Sequence, residues 1–123
     1  MKEIKTNNAP LAIGPYSQAI VTNNMVFTSG QIPVNPLTGE IPEIIEEQAN
    51  QVFMNLKNLL EASGSRMDNV VKTTVFIQNM KDFAIVNKIY ETYFTEPYPA
   101  RSCVEVSKLP KDVLIEVEAI AEI

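Results

Sequence analysis

The segment VLIEVEAIA, residues 113–121, decides how this chain folds, because two kinds of side chain alternate along it. The first side consists of Val113, Ile115, Val117, Ala119 and Ala121, and the second of Leu114, Glu116, Glu118 and Ile120, which Glu122 continues just after the segment. A period of two residues indicates a β-strand with one face in a core. We expect the first side to pack against helices. The second mixes charged and large apolar residues too evenly for a face that meets only solvent.

The segment PARSCVEV, residues 99–106, also alternates and places Arg101 and Cys103 on one side of a second strand. If these two final strands are antiparallel neighbours, Cys103 lies opposite Glu116 and Arg101 opposite Glu118. Two interpretations stay open. Arg101 and Glu118 could form an exposed cross-strand ion pair worth about 0 to 1 kcal/mol. Alternatively, the guanidinium binds a carboxylate ligand at a covered interface, where a glutamate orients water.

Two helices are predicted from apolar spacing. The longer covers residues 45–62, and Gly64 follows as its C-terminal stop. Its apolar residues are Ile45, Ala49, Val52, Phe53, Leu56, Leu59 and Leu60. The shorter helix begins at Phe83 with Asp82 as N-cap and ends before EPYP. Its core residues are Phe83, Val86, Tyr90 and Phe94.

Further strands are predicted upstream. Residues 17–22 and 25–31 read as a hairpin around Asn23-Asn24, because asparagine tolerates the positive φ of a tight turn. Residues 69–78 are rich in Val, Thr, Ile and Phe, which favours a buried strand. The order is strand pair, helix, strand, helix, strand pair. It predicts an α+β fold with both helices on one face of a sheet, as a single domain over residues 1–123.

The composition excludes several functions. A net charge of -5 without a Lys/Arg cluster argues against nucleic-acid binding. With no histidine and one cysteine, the usual zinc sites, a Ser-His-Asp triad and a disulfide framework are not available. No apolar run reaches the ~20 residues of a membrane span, and the N-terminus lacks a signal-peptide pattern, so we expect a cytoplasmic protein without membrane contact.

Four segments together resemble one family closely: AIGPYSQA, FTSGQIPVNPLTGE, VVKTTVFIQNMKDFAIVNKIYETYF and PARSCVEVSKLPKDVLIEVEAIA. They are similar to the RidA (YjgF-type) enamine/imine deaminases. The resemblance implies a chorismate-mutase-like fold, with a mixed sheet and a homotrimer around a central barrel, whose clefts lie between subunits. It also implies hydrolysis of 2-aminoacrylate-type intermediates to 2-keto acids and ammonia without a cofactor, a form of metabolite damage control.

The same resemblance implies roles for particular residues. Arg101 would take the substrate carboxylate, and Glu116 would position the attacking water. Tyr16 would border the cleft from the adjacent subunit, and the backbone of Ser29 and Gly30 would approach the ligand. The remaining cleft residues would be Phe83, Asn87 and Cys103.

Simpler roles stay open for some of them. Tyr16 could cap a loop, Gly30 could mark a β-bulge, and Glu118 could be an interface charge. Cys103 is assigned to lining rather than chemistry, since a buried cysteine is usually a small apolar group. The segment FTEPYPARS is shorter than in some relatives, so we expect it to affect substrate preference.

Two other functions remain as alternatives. One is an RNA-cleaving or translation-inhibiting protein, an activity attributed to some relatives, although the acidic charge argues against it. The other is a non-catalytic regulatory protein that binds small carboxylates with the same arginine.

Overall fold

The computed structural model describes residues 1–123 and has six strands and two helices. The strands are β1 (Lys2–Ile4), β2 (Ala19–Thr22), β3 (Met25–Thr28), β4 (Val70–Ile77), β5 (Ala100–Glu105) and β6 (Ile115–Glu122). The helices are α1 (Ile45–Ala62) and α2 (Phe83–Tyr93). No helix combines the length and the apolar character that a membrane crossing needs.

The strands form one mixed sheet in the order β1-β2-β3-β6-β4-β5. All neighbours are antiparallel except β4 and β5, which are parallel. The hairpin between β2 and β3 turns at Asn23 and Asn24 with φ of 50° and 59°, which confirms the sequence prediction. Strand β1, which extends the sheet beyond β2, was not predicted.

The predicted pairing of the last two strands is wrong, because β4 lies between β5 and β6. The connection from β4 through α2 to β5 is a strand-helix-strand crossover, which makes β5 parallel to β4 at the edge of the sheet. Strand β6 then fills the space between β3 and β4. As a result, Glu116 faces Phe76, Glu118 faces Thr74, and neither faces Arg101 or Cys103.

Both helices cover one face of the sheet, as predicted. Helix α1 has the predicted bounds and ends before Gly64, whose φ of 85° suits a residue just past a helix. Phe53 is fully buried between the helices, and the strands contribute Val75, Ile77 and Val117 to the same core. Burial of this apolar surface is the main stabilising term of the fold.

The start of α2 differs in one detail from the sequence prediction. Asp82 stands at the N-cap position but makes no capping hydrogen bond with its side chain. Instead, the Asn79 side chain accepts a hydrogen bond from the backbone N–H of Lys81, in the tight turn Met80–Asp82 that leads directly into the helix. The polar cap therefore lies one turn earlier than expected.

The opposite side of the sheet carries no helix, and we call it the open face. It carries residues that alternate with the core, which include Ile20, Phe27, Lys72, Thr74, Phe76, Ser102, Val104, Glu116, Glu118 and Ile120. Phe27 and Val104 are 43% and 42% exposed there, beside two glutamates. The expected mixture of apolar and acidic side chains is present on this face.

Candidate functional site

Arg101 lies on the helix side of β5, next to Thr73 of β4. Its Nη1 donates a hydrogen bond of 2.7 Å to Asn87 Oδ1 on α2. Its Cζ lies 4.8 Å from the ring centroid of Tyr90 and 5.5 Å from that of Phe83. Three residues of one helix therefore fix the guanidinium at the edge of the sheet.

No carboxylate of the chain pairs with Arg101. The two ion pairs of the structure are Glu3 with Lys5 and Lys108 with Asp112, and all four side chains are well exposed. Arg101 borders a depression of about 430 Å³, which we call the arginine depression. It is lined by Asn87, Tyr90, Glu91, Tyr98, Pro99 and Arg101. A half-buried guanidinium with only neutral partners is suited to bind an external anion.

Tyr98 and Pro99 in that lining belong to the segment FTEPYPARS, which leads from α2 into β5. The segment therefore borders the space in front of Arg101. Its expected influence on substrate preference stays a prediction.

Glu116 lies on the open face of β6 and is half-buried. It takes part in neither ion pair of the chain. Burial raises the pKa of the Glu116 carboxyl, and the charge of Glu118 raises it further. A carboxyl with a raised pKa can exchange a proton closer to neutral pH than an ordinary glutamate.

Gly30 provides the space into which the Glu116 side chain folds. A Cβ at position 30 would collide with Oε2 of Glu116, and would lie 2.8 Å from its Cδ and 3.1 Å from its Cγ. The φ of Gly30 is outside the left-handed region, so the glycine is not required by backbone conformation. In this chain, the missing side chain of Gly30 makes room for the Glu116 carboxylate.

Glu116 also lines a cavity of about 510 Å³, which we call the glutamate cavity. Its only charged lining residues are Glu116 and Lys111. The other lining residues are Pro10, Leu11, Ile13, Tyr16, Gln18, Gly30, Gln31, Ile32, Val34, Asn35, Pro36, Gly39 and Pro110. The cavity can thus hold a ligand with both apolar and polar parts.

Two buried amides hold segments that line the glutamate cavity. Gln18 Nε2 donates to the carbonyls of Thr6 and Pro10, which fixes the N-terminal segment. Asn55 Nδ2 donates to the carbonyls of Ile32 and Val34, which fixes a second lining segment to helix α1. Specific polar contacts therefore hold the backbone around the cavity.

Tyr16 lines this cavity beside Gly30 and Glu116 and is about half exposed. Its hydroxyl accepts a hydrogen bond of 3.3 Å from the backbone N–H of Ile13. The ring therefore closes a short loop and also faces the cavity, so the two interpretations from sequence are compatible.

Ser29 and Cys103 line neither the arginine depression nor the glutamate cavity. The Ser29 hydroxyl donates to the carbonyl of Ser17 at 2.6 Å, which joins the ends of β2 and β3. Cys103 packs against the core, and burial raises the pKa of its thiol although the charge of Arg101 opposes this. The thiol is therefore less reactive than an ordinary cysteine at neutral pH.

Within one chain, Arg101 and Glu116 do not form a common site. Arg101 is aligned with Thr73 and Glu116 with Phe76, so their side chains point to opposite faces of the sheet. Two strand spacings and three residues separate their Cα atoms by roughly 14 Å. The expectation that arginine and both glutamates share one small space is wrong for a single chain.

Sequence reasoning assigned Tyr90 to the core and did not associate Thr73, Asn55 or Lys111 with a site. Tyr90 lies three residues after Asn87 on α2, and this helical spacing was the available signal. No three His, Cys, Asp or Glu side chains come together in a way that could hold a metal ion.

The family model described as Endoribonuclease L-PSP matches residues 6–123 of the chain. The chain is 57% identical over 123 residues to the 2-iminobutanoate/2-iminopropanoate deaminase of Escherichia coli K12, covering 98% of this chain and 96% of that protein. Two crystal structures share its fold. E. coli TdcF with bound serine has a TM-score of 0.95 at 48% identity, covering 100% of this chain and 99% of that one. RidA from the Antarctic bacterium Psychrobacter sp. PAMC 21119 has a TM-score of 0.97 at 42% identity, with both chains covered to 100%.

Proposed function

We propose, from the premise that this chain belongs to the RidA (YjgF-type) family, that it is a 2-iminobutanoate/2-iminopropanoate deaminase. Its substrates would be the enamine and imine forms of 2-aminoacrylate and 2-aminocrotonate, which pyridoxal-phosphate enzymes release in the cytoplasm. The products would be 2-keto acids and ammonia. The whole chain, residues 1–123, would act as one domain.

The proposed role of Arg101 is to bind the substrate carboxylate. A guanidinium presents two parallel N–H donors that match the two oxygens of a carboxylate. Support comes from its surroundings, since Arg101 is fixed by Asn87 and two aromatic rings but has no anionic partner. The crystal structure of TdcF with bound serine gives further support, because serine also carries a carboxylate.

The proposed role of Glu116 is to position water for attack on the imine carbon. A C–O bond forms as the carboxylate takes a proton from the water, and the C=N π electrons move to nitrogen. That proton then passes from Glu116 to the nitrogen, which gives a neutral carbinolamine. The carbinolamine hydroxyl gives its proton to the amine, its O–H electron pair forms the C=O bond, and the C–N bond breaks to release ammonia and the 2-keto acid. The raised pKa of the Glu116 carboxyl supports a role in proton transfer near neutral pH.

The observation that supports the proposal is the placement of its two residues, with Arg101 on the helix side of the sheet and Glu116 on the open face. A three- or four-carbon imino acid is too short to reach Arg101 and Glu116 of the same chain, at roughly 14 Å and on opposite faces. We therefore propose that Arg101 of one subunit meets Glu116 of another in the clefts of a homotrimer with a central barrel. The exposed Phe27 and Val104 of the open face support such an assembly.

The proposal is tested by coupling a threonine or serine dehydratase to the protein and following keto-acid release in a buffer where free hydrolysis is slow. We expect acceleration by the wild type, and loss of it in Arg101→Ala and Glu116→Ala. Arg66→Ala and Glu122→Ala are matched controls, because both residues are exposed and lie outside the arginine depression and the glutamate cavity. A folded wild type without acceleration would contradict the proposal.

Mixed oligomers test the shared cleft separately. When the inactive Arg101→Ala and Glu116→Ala chains are co-expressed in equal amounts, clefts with both wild-type residues re-form in about a quarter of cases if each cleft draws on two subunits. We expect activity to recover to roughly that fraction of the wild-type value. No recovery in a mixed oligomer would place both residues of a working site in one chain.

The description of the matched family model gives a second candidate, an endoribonuclease. The net charge of -5 and the sequence pI of 4.7 oppose binding of a polyanion. Titration of labelled RNA at low salt tests this candidate, and we expect neither binding nor cleavage. Binding of a small carboxylate through Arg101 without turnover would instead favour a regulatory protein.

A further inference from the structure

The guanidinium of Arg101 packs on the ring of Tyr90, although the position of Tyr90 in α2 is typical of a core residue. It is 5% exposed, and its ring centroid lies 4.8 Å from the Arg101 Cζ. It also borders the arginine depression. The same aromatic ring therefore belongs to the core on one side and to the proposed binding site on the other.

The ring of Tyr90 is fixed by contacts on its other sides. It meets Phe53 edge-on at 5.6 Å between centroids and Phe94 at 4.3 Å. Its hydroxyl shares a hydrogen bond of 2.7 Å with Thr73 Oγ1, which is fully buried. Thr73 is also the residue of β4 aligned with Arg101 of β5. Thr73, which lies beside Arg101, thus holds the Tyr90 ring on which Arg101 packs.

This support does not neutralise the guanidinium. The partners of Arg101 are an amide oxygen and two aromatic rings, whose negative faces attract a cation without pairing with it as a carboxylate would. Burial raises the pKa of the Tyr90 hydroxyl, so the phenol stays neutral at physiological pH. A carboxylate in the same place would compete with an anionic substrate, whereas Tyr90 leaves the guanidinium free to bind one.

We propose that Tyr90 is a positioning residue for Arg101, and that Thr73 sets the rotation of its ring. The inference rests on the proposed function of Arg101 as the group that binds a substrate carboxylate. Tyr90 then acts on substrate binding, and the chemical step at the imine carbon does not depend on it. A residue with only a packing role would change stability and leave the affinity for carboxylates as it was.

The test compares Tyr90→Leu, Tyr90→Phe and Thr73→Val in the oligomer as purified. The readouts are KM and kcat in the coupled assay, together with the Kd for 2-oxobutanoate measured by calorimetry. We expect Tyr90→Leu to raise KM and Kd about tenfold with kcat within about twofold of the wild type. Tyr90→Phe and Thr73→Val should each raise them about twofold to threefold, and their double variant should be no worse than either, because both remove one hydrogen bond.

Tyr93→Leu is the matched control, since Tyr93 also packs on Phe53 but does not contact Arg101. It should lower the melting temperature without changing Kd. If Tyr90→Leu folds and keeps the wild-type KM and Kd, the inference is wrong. If that variant does not fold, an unchanged Kd in both Tyr90→Phe and Thr73→Val overturns it.

The outcome is separable from that of the proposed function. A wild type that binds 2-oxobutanoate but turns over no imine contradicts the deaminase proposal, while the Kd series still decides the role of Tyr90. A wild type that binds no 2-oxobutanoate removes the premise that Arg101 binds a carboxylate and overturns the role of Tyr90, while the coupled assay still decides the deaminase proposal.

Discussion

The proposed site has an arginine half around Arg101 and a glutamate half around Glu116, and the two are built in opposite ways. Arg101 is held by side chains from one helix, with a hydrogen bond from Nη1 to Asn87 and two aromatic rings at its guanidinium. Glu116 forms no ion pair, and its side chain occupies the space that a side chain at position 30 would fill. One group is fixed by contacts, and the other is accommodated by space.

The difference agrees with the chemistry proposed for each group. A carboxylate-binding arginine works best when its fork is pre-organised and its charge is left unpaired. A glutamate that handles a proton instead needs freedom from strong partners and a pKa nearer to neutral. The arginine half should therefore be sensitive to the loss of contacts, and the glutamate half to the loss of space.

The largest effect is expected from filling the space at position 30. In Gly30→Ala the new Cβ would overlap the Glu116 carboxylate, so that side chain must move. A displacement of about 1 Å at a catalytic group can cost roughly a hundredfold in rate. We expect kcat to fall by about that factor while the Kd for 2-oxobutanoate, which reports on the arginine half, stays within about threefold.

A double-mutant cycle separates this collision from a general loss of stability. In the Glu116→Ala background the atoms that collide with the new Cβ are absent, so Gly30→Ala should no longer lower the unfolding free energy. Equal destabilisation in both backgrounds, measured by urea unfolding, would show that Gly30 serves the backbone instead.

A smaller effect is expected from changing the polar contact of the arginine half. Asn87→Asp places a carboxylate where Oδ1 now accepts from Arg101, so an internal ion pair competes with the substrate. We expect KM to rise about tenfold to thirtyfold, with kcat nearly unchanged, in the coupled assay. Asn50→Asp makes the same substitution at an exposed position of α1 and should leave KM as it is.

Local patterns in the sequence predicted the elements well. The bounds of α1 and the turn at Asn23-Asn24 agree with the structure, because helical periodicity and turn preferences act over a few residues. The strand predicted to lie beside β6 was wrong. Alternation indicates which face a side chain occupies, but it does not indicate which strand is the neighbour. The crossover through α2, which inserts β4 between β5 and β6, is a property of the whole chain.

The candidate site also depends partly on local sequence and partly on the topology of the whole chain. Arg101 and Glu116 were assigned from family resemblance, and their roles stay predictions. Sequence could not reveal that they lie on opposite faces, since this follows from their alignment with Thr73 and Phe76 on a shared neighbour. The sequence also could not explain why position 30 is a glycine, because the space that Gly30 leaves is filled by a residue 86 positions later.

The smallest effect concerns the pKa of Glu116. Glu118 lies two residues away on the same strand, and its negative charge raises that pKa after the larger effect of burial. If Glu116 acts as a carboxylate, kcat/KM falls when the pH drops through its pKa. Glu118→Gln should lower the pKa and move the acid limb of the profile to lower pH, with about a twofold change at most at neutral pH.

Stability should depend on pH in the opposite direction to kcat/KM. Because the folded-state pKa of Glu116 lies above its ordinary value of 4.5, the folded chain binds this proton more tightly than the unfolded chain. The contribution of this group to stability is therefore present at low pH and is lost as the pH rises through the folded-state pKa. Glu118→Gln should reduce that loss, whereas Glu122→Gln, the same change farther along β6, should leave both the pH profile and the stability curve in place. A shift of equal size in both variants would mean that the net charge of the strand, and not the neighbouring carboxylate, acts on Glu116.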